Sequence, residues 1–173
     1  MMKFDKAVML FVCVAVAAQA SFATAQSEQK PAGSMMKKEQ MSRAFTNGYN
    51  VPSTGVAMEG YCPVCYIAAN KAAKGSPNFA ADYEGSTYWF VSDDVRKMFT
   101  ADPEKYLPAY GGWCATGVAL GQRFPVDPTN FKIVDGKIML FLKNAKHDGV
   151  AMWSQNEAEN LQKANANWQK MKG

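Results

Sequence analysis

Apolar residues follow three regimes along this chain. From Ala7 to Ala18 they form one uninterrupted run. From Gln26 to Asn50 they are sparse and without period. Only beyond Val51 do they recur at spacings that specify structure. The C-terminal stretch is the clearest: Ala158, Leu161, Ala164 and Trp168 repeat at helical spacing, and Ser154 with Glu157 has the form of a capping box, so the pattern predicts an amphipathic helix. Two hairpins are predicted as well. Phe131 to Val134 and Lys137 to Leu142 flank Asp135-Gly136, and Phe79 to Tyr83 and Ser86 to Val91 flank Glu84-Gly85.

Shorter elements fill the intervals. Gly55 to Met58 suits a strand. Cys65 to Ala73 is alanine-rich and predicts a helix stopped at Lys74-Gly75. Ser92 is a good N-cap, Asp93 and Asp94 favour the helix dipole, and Val95, Met98 and Phe99 fall on one face. Asp102-Pro103 starts a further helical turn, and Trp113 to Leu120 predicts a helix that ends at Gly121 and buries Cys114. No internal repeat stands out. Hairpins and short helices in this order predict a small single α+β domain over residues 51–173, not a parallel α/β sheet.

The N-terminal regimes bear on compartment. Lys3 and Lys6, the apolar run and Ala23-Thr24-Ala25 together read as a signal peptide over residues 1–25. The run of 12 residues is shorter than the ~20 of a membrane-spanning helix. The expectation is cleavage near Gln26, no membrane span after processing, and a periplasmic or secreted protein in a compartment where disulfides persist. Residues 26–50 read as a flexible leader. Its methionines Met35, Met36 and Met41 are soft donors, but a solvated tether accounts for them. Removing Lys3, Lys6 and Asp5 from 19 basic and 15 acidic side chains leaves 17 and 14, a net charge of +3. The charges are interspersed, which argues against nucleic-acid binding.

Candidate chemistry centres on cysteine. Cys62-Pro63-Val64-Cys65 is a C-x-x-C pair, Cys114 follows in Gly111-Gly112-Trp113-Cys114, and Cys13 falls in the signal peptide. Three mature cysteines allow one disulfide and leave one thiol. Cys62, Cys65, Cys114 and His147 are the candidate metal ligands. Three thiolates and an imidazole suit tetrahedral zinc, and two or three thiolates suit cuprous copper. His147 lies in a polar loop, where a surface histidine is the commoner reading, and Cys114 also reads as a small buried hydrophobe. The rival is a structural disulfide, Cys62 to Cys65 or either of them to Cys114. A Cys65–Cys114 cross-link closes a long loop worth ~3–4 kcal/mol. Thiol–disulfide catalysis ranks below both, since no thioredoxin-like βαβ pattern surrounds the motif. Other catalytic classes find little support: there is one histidine, no G-x-S-x-G, and no phosphate loop around Gly111-Gly112. The aromatics Trp89, Tyr110 and Trp113 read as core before they read as a ligand pocket.

From Gly60 to Met171, about two-thirds of the chain, the sequence resembles the secreted YHS-domain proteins. The phrases that carry this are Gly60-Tyr61-Cys62-Pro63-Val64, Tyr88-Trp89-Phe90-Val91-Ser92, Asp102-Pro103-Glu104-Lys105-Tyr106, Tyr110-Gly111-Gly112-Trp113-Cys114-Ala115, Val134-Asp135-Gly136-Lys137 and Ala164-Asn165-Ala166-Asn167-Trp168. The resemblance implies a small α+β domain related to the metal-associated TRASH and YHS modules found beside heavy-metal transporters. Secreted members usually have aspartate where Cys62 stands and a small residue at Cys65. The transporter-associated modules share the cysteine at Cys65 but tend to have cysteine or histidine at Val91 and Val95. The function expected is that of an exported, non-enzymatic YHS-type domain. It binds copper or zinc through the C-x-x-C pair for sensing, storage or delivery, with a metal-transport or other periplasmic protein as partner. The alternative is a disulfide-stabilised binding module.

Overall fold

A computed structural model describes residues 48–172. The predicted signal peptide and nearly all of the predicted leader lie outside the described residues. Gly48 to Asn50, assigned above to the leader, are bonded onto the domain: Asn50 donates its backbone N–H to Gly111 O and its side-chain amide to Gly112 O, and Gly48 O accepts from the Trp113 indole. No described helix is long and apolar enough to cross a membrane.

The described chain is a mixed α+β domain of two antiparallel hairpins and six α-helices. In order these are α1 (Pro63–Ala69), β1 (Ser76–Tyr83), β2 (Ser86–Phe90), α2 (Asp93–Ala101), α3 (Pro103–Tyr106), α4 (Ala115–Ala119), β3 (Asp127–Val134), β4 (Lys137–Phe141), α5 (Gly149–Ser154) and α6 (Glu157–Met171). Tight 3-10-type turns, Ala57–Gly60 and Ala109–Gly112, precede α1 and α4. Both hairpins form as the sequence predicts, with positive φ at Glu84-Gly85 and Asp135-Gly136. Ser92 caps α2 through Val95 N–H, at 3.4 Å.

Several local expectations are corrected. The strand predicted at Gly55 to Met58 is a single bridge, Val56 with Thr87, running into the first turn. Helix α1 stops at Asn70, which takes the left-handed conformation (φ 48°) that ends helices, and does not reach Gly75. Gly75 has another role: a Cβ there would sit 2.5 Å from the Trp89 carbonyl carbon. Met98 is 46% exposed and stays out of the core that Phe99 enters. Ser154 closes α5, a helix not predicted, and Asn156 is the N-cap residue of α6, so the capping box does not form. Along α6 only Ala164 is fully buried. Leu161 and Trp168 are half-buried and Ala158 is exposed.

The two halves of the domain repeat one design, which the sequence did not reveal. Each has a left-handed turn, a cysteine opening a short helix, and a hairpin with an irregularity at the same place in its register. Corresponding positions lie 51 or 52 residues apart: Cys62 and Cys114, Ser76 and Asp127, Ser86 and Lys137. The isolated bridges also correspond, Val56 with Thr87 and Pro108 with Ile138. The shared residues are the turn glycines Gly60/Gly112 and Gly85/Gly136, the buried pairs Cys62/Cys114 and Phe90/Phe141, and Ala57/Ala109 and Pro77/Pro128. Most other core positions have diverged.

Two apolar clusters result. In the first, Phe99 stacks against Tyr83, Tyr88, Phe90 and Tyr106, beside Cys62, Val64 and Tyr66. The second gathers Cys114, Val118, Phe141, Trp153 and Ala164. Strand β4 is shared: Ile138 and Leu140 enter the first cluster and Met139 and Phe141 the second, as alternation along a strand dictates. Tyr66 also joins the halves, its hydroxyl donating to Pro128 O at 2.7 Å in the interior. The phrase Ala164-Asn165-Ala166-Asn167-Trp168 docks α6. Asn167 donates to the carbonyls of Val118 and Ala119 at the end of α4, and Asn165 accepts from the Tyr110 hydroxyl.

Candidate functional site

Backbone geometry delivers Cys62 to the interior. Met58, Glu59 and Gly60 all have positive φ, which turns the chain sharply before the motif. Gly60 is required twice over, by its φ of +79° and because a Cβ would meet the Trp89 ring at 2.5 Å. The chain leaving α1 returns alongside: Gly75 N–H bonds Gly60 O and Cys62 N–H bonds Ala73 O, both at 2.8 Å. Cys62 is then the N-cap residue, and Pro63 occupies the first helical turn, where its missing N–H does no harm. One turn on, Cys65 N–H bonds Cys62 O at 3.1 Å. Cys62 is fully buried and Cys65 is partly exposed, and both are free thiols.

The thiols interact. Burial pushes the Cys65 thiol up to about 12, contact with the Cys62 sulfur adds to this, and Lys71 opposes it weakly. That is the reverse of an activated thiolate, which needs a lowered pKa at a positive site. A close pair of neutral thiols fits two reactions, coordination of a soft ion with proton release or closure of the small ring.

Cys114 occupies the corresponding position of the second half, and it lies in the other apolar cluster. Its Sγ accepts the N–H of Leu142 at 3.2 Å. His147 is exposed, but with Cys114 it lines a cavity of about 290 Å³. The four predicted ligands thus fall into two pairs, Cys62 with Cys65 and Cys114 with His147. Among the described residues no group of three or more histidine, cysteine, aspartate or glutamate side chains converges as a tetrahedral zinc site would require. A further soft donor, Met152, lines the same cavity as Cys114 and His147. The sequence reading missed it because it stands on the unpredicted α5, whose one local signal is Asp148 as N-cap.

Asp93 at the start of α2 and the candidate aromatics have structural roles. Asp93 pairs with Arg96 and Lys97, and hydrogen bonds from Lys97 and then Arg96 hold its carboxyl below its usual range. Trp89, Tyr110 and Trp113 do not share a pocket. Trp89 flanks Gly60, Tyr110 stacks edge-on against Trp168, and Trp113 bonds Gly48. No family model matches this chain, and neither a curated protein nor a solved structure matches it.

Proposed function

We propose that the chain is an exported, non-enzymatic YHS-type domain that binds one soft monovalent ion, cuprous copper, through Cys62 and Cys65. The observation that carries this reading is the contact between the two thiols at the start of α1, one buried and one reaching the surface. Two thiolates satisfy a two-coordinate cuprous ion, whereas zinc calls for four ligands. Partial exposure of Cys65 gives an ion a way in and out, as storage or delivery to a metal-transport partner needs.

A disulfide between the same two cysteines is the second reading, supported by the same proximity. A Cys65–Cys114 cross-link loses support, because Cys114 belongs to the other cluster. Thiol–disulfide catalysis loses support from the raised Cys65 thiol.

Anaerobic cuprous titration of the reduced protein against a chromophoric chelator tests the proposal. Uptake at the pair should vanish in Cys62→Ser and in Cys65→Ser, because a hydroxyl is a hard donor. If neither variant changes copper uptake, or if the reduced protein takes up no copper, the proposal fails. One free thiol in freshly isolated protein, with no uptake after gentle reduction, assigns the pair to a structural disulfide.

A further inference from the structure

The C-terminal half contains a second set of soft donors that the C-x-x-C reading leaves unused. Cys114, His147 and Met152 line one cavity of about 290 Å³, walled by Leu120 and Phe124. Cys114 is nearly fully buried, while His147 is exposed and Met152 is 41% exposed. The arrangement is therefore a thiol at depth with an imidazole and a thioether nearer solvent.

Each donor is mounted on a fixed backbone. Cys114 N–H bonds Phe124 O at 3.1 Å, and its sulfur receives the Leu142 N–H. An amide aimed at sulfur is the outer contact that orients a metal-bound thiolate. The segment bearing His147 is closed on itself. Asn144 Oδ1 accepts the N–H groups of Lys146 and His147, and Asn144 N–H bonds His147 O, each at 2.9 Å. Asp148 then caps α5 through Val150 and Ala151, and Asn130 donates to the same carboxylate. The buried Thr116 hydroxyl donates to Gly149 O at 2.8 Å, which ties the start of α5 to α4. Met152 follows on that anchored helix.

We infer that this cavity is a second soft-metal site, taking a cuprous ion through Cys114, His147 and Met152. Charge selects the ion. One thiolate with two neutral ligands makes a monovalent ion neutral overall, which an apolar wall tolerates, whereas a divalent ion would leave a net positive charge there. Thiolate, thioether and imidazole are all donors that copper accepts. Leu120, 62% exposed at this cavity, keeps its rim apolar. The site is independent of the Cys62–Cys65 pair.

The test uses the full reduced chain and cuprous ion with a competing chelator. Wild type should take two equivalents, and the Cys62→Ser/Cys65→Ser double variant should keep one. X-ray absorption of the loaded double variant should report two sulfur and one nitrogen ligands. Adding Met152→Leu or His147→Gln should weaken that remaining equivalent at least tenfold, and Cys114→Ser should abolish it. Met152 and His147 are exposed, so their variants report on binding even if Cys114→Ser does not fold. A double variant that binds no copper while wild type binds one overturns this site and leaves the first intact. Retained binding that neither Met152→Leu nor His147→Gln weakens also overturns it. No uptake by wild type overturns both.

Discussion

Cys65 shows how one side chain's surroundings narrow its chemistry. A C-x-x-C motif is compatible with catalysis, metal binding or a cross-link until the environment of its sulfur is known. Here the sulfur is partly buried against a second thiol, with only Lys71 acting in favour of the anion. The thiol is raised, so the neutral form dominates at every pH below about 12. Alkylation requires thiolate. With Cys65 as the only cysteine, in the Cys62→Ala/Cys114→Ala background, iodoacetamide should react much more slowly at pH 8 than with a free cysteine. Its rate should still be climbing above the free-cysteine range, because burial, the largest cause of the shift, remains once the Cys62 sulfur is gone. A rate that levels off near pH 8.5, the free-cysteine range, would show that burial does not control this thiol.

At the scale of elements, what could be read from the sequence was what is locally determined. The hairpin turns depend on two residues each, and Glu84-Gly85 and Asp135-Gly136 announce them. Ser92 caps α2 because its own hydroxyl reaches three residues ahead. Helix α5 escaped notice because it has six residues, opens on glycine and offers no period. Its start depends on Asp148, whose carboxylate serves Val150 and Ala151 while Asn130 of the neighbouring strand holds it in place. Ser154 and Glu157 matched a capping box by spacing, but both instead meet Lys132 from β3. The candidate site divides in the same way. Cys62 and Cys65 are neighbours through one helical turn, so their pairing is legible. The approach of Cys114 to His147 and Met152 depends on how α4, β4 and α5 pack, which no local pattern encodes. Asp148→Ala should lower the urea midpoint, as loss of a helix cap does. An unchanged midpoint would mean that α5 is held by packing alone.

At the scale of the molecule, the repeat was hidden because the two copies have been given different surroundings. The second cluster draws only on residues from Ala109 onward, whereas the first borrows Ile138 and Leu140 from β4 and leans on Val126, Phe131 and Ile133. The halves are alike in backbone but unequal in dependence. A fragment of residues 108–173 should retain cooperative thermal unfolding and helical circular dichroism. A fragment of residues 48–107 should show neither until the other is added. Independent cooperative unfolding of 48–107 would show that its apolar cluster closes without β4.

That inequality sets an order in time. A chain is made from its N-terminus, so the segment carrying Cys62 and Cys65 emerges first, and domains ordinarily fold in that order. This one has to wait. The apolar cluster that holds Cys62 includes Leu140 and Ile138, and the buried Tyr66 hydroxyl needs Pro128 O as its acceptor. The thiol pair gains its folded setting only when most of the chain is in place, so the burial that raises the Cys65 thiol is a late event in folding.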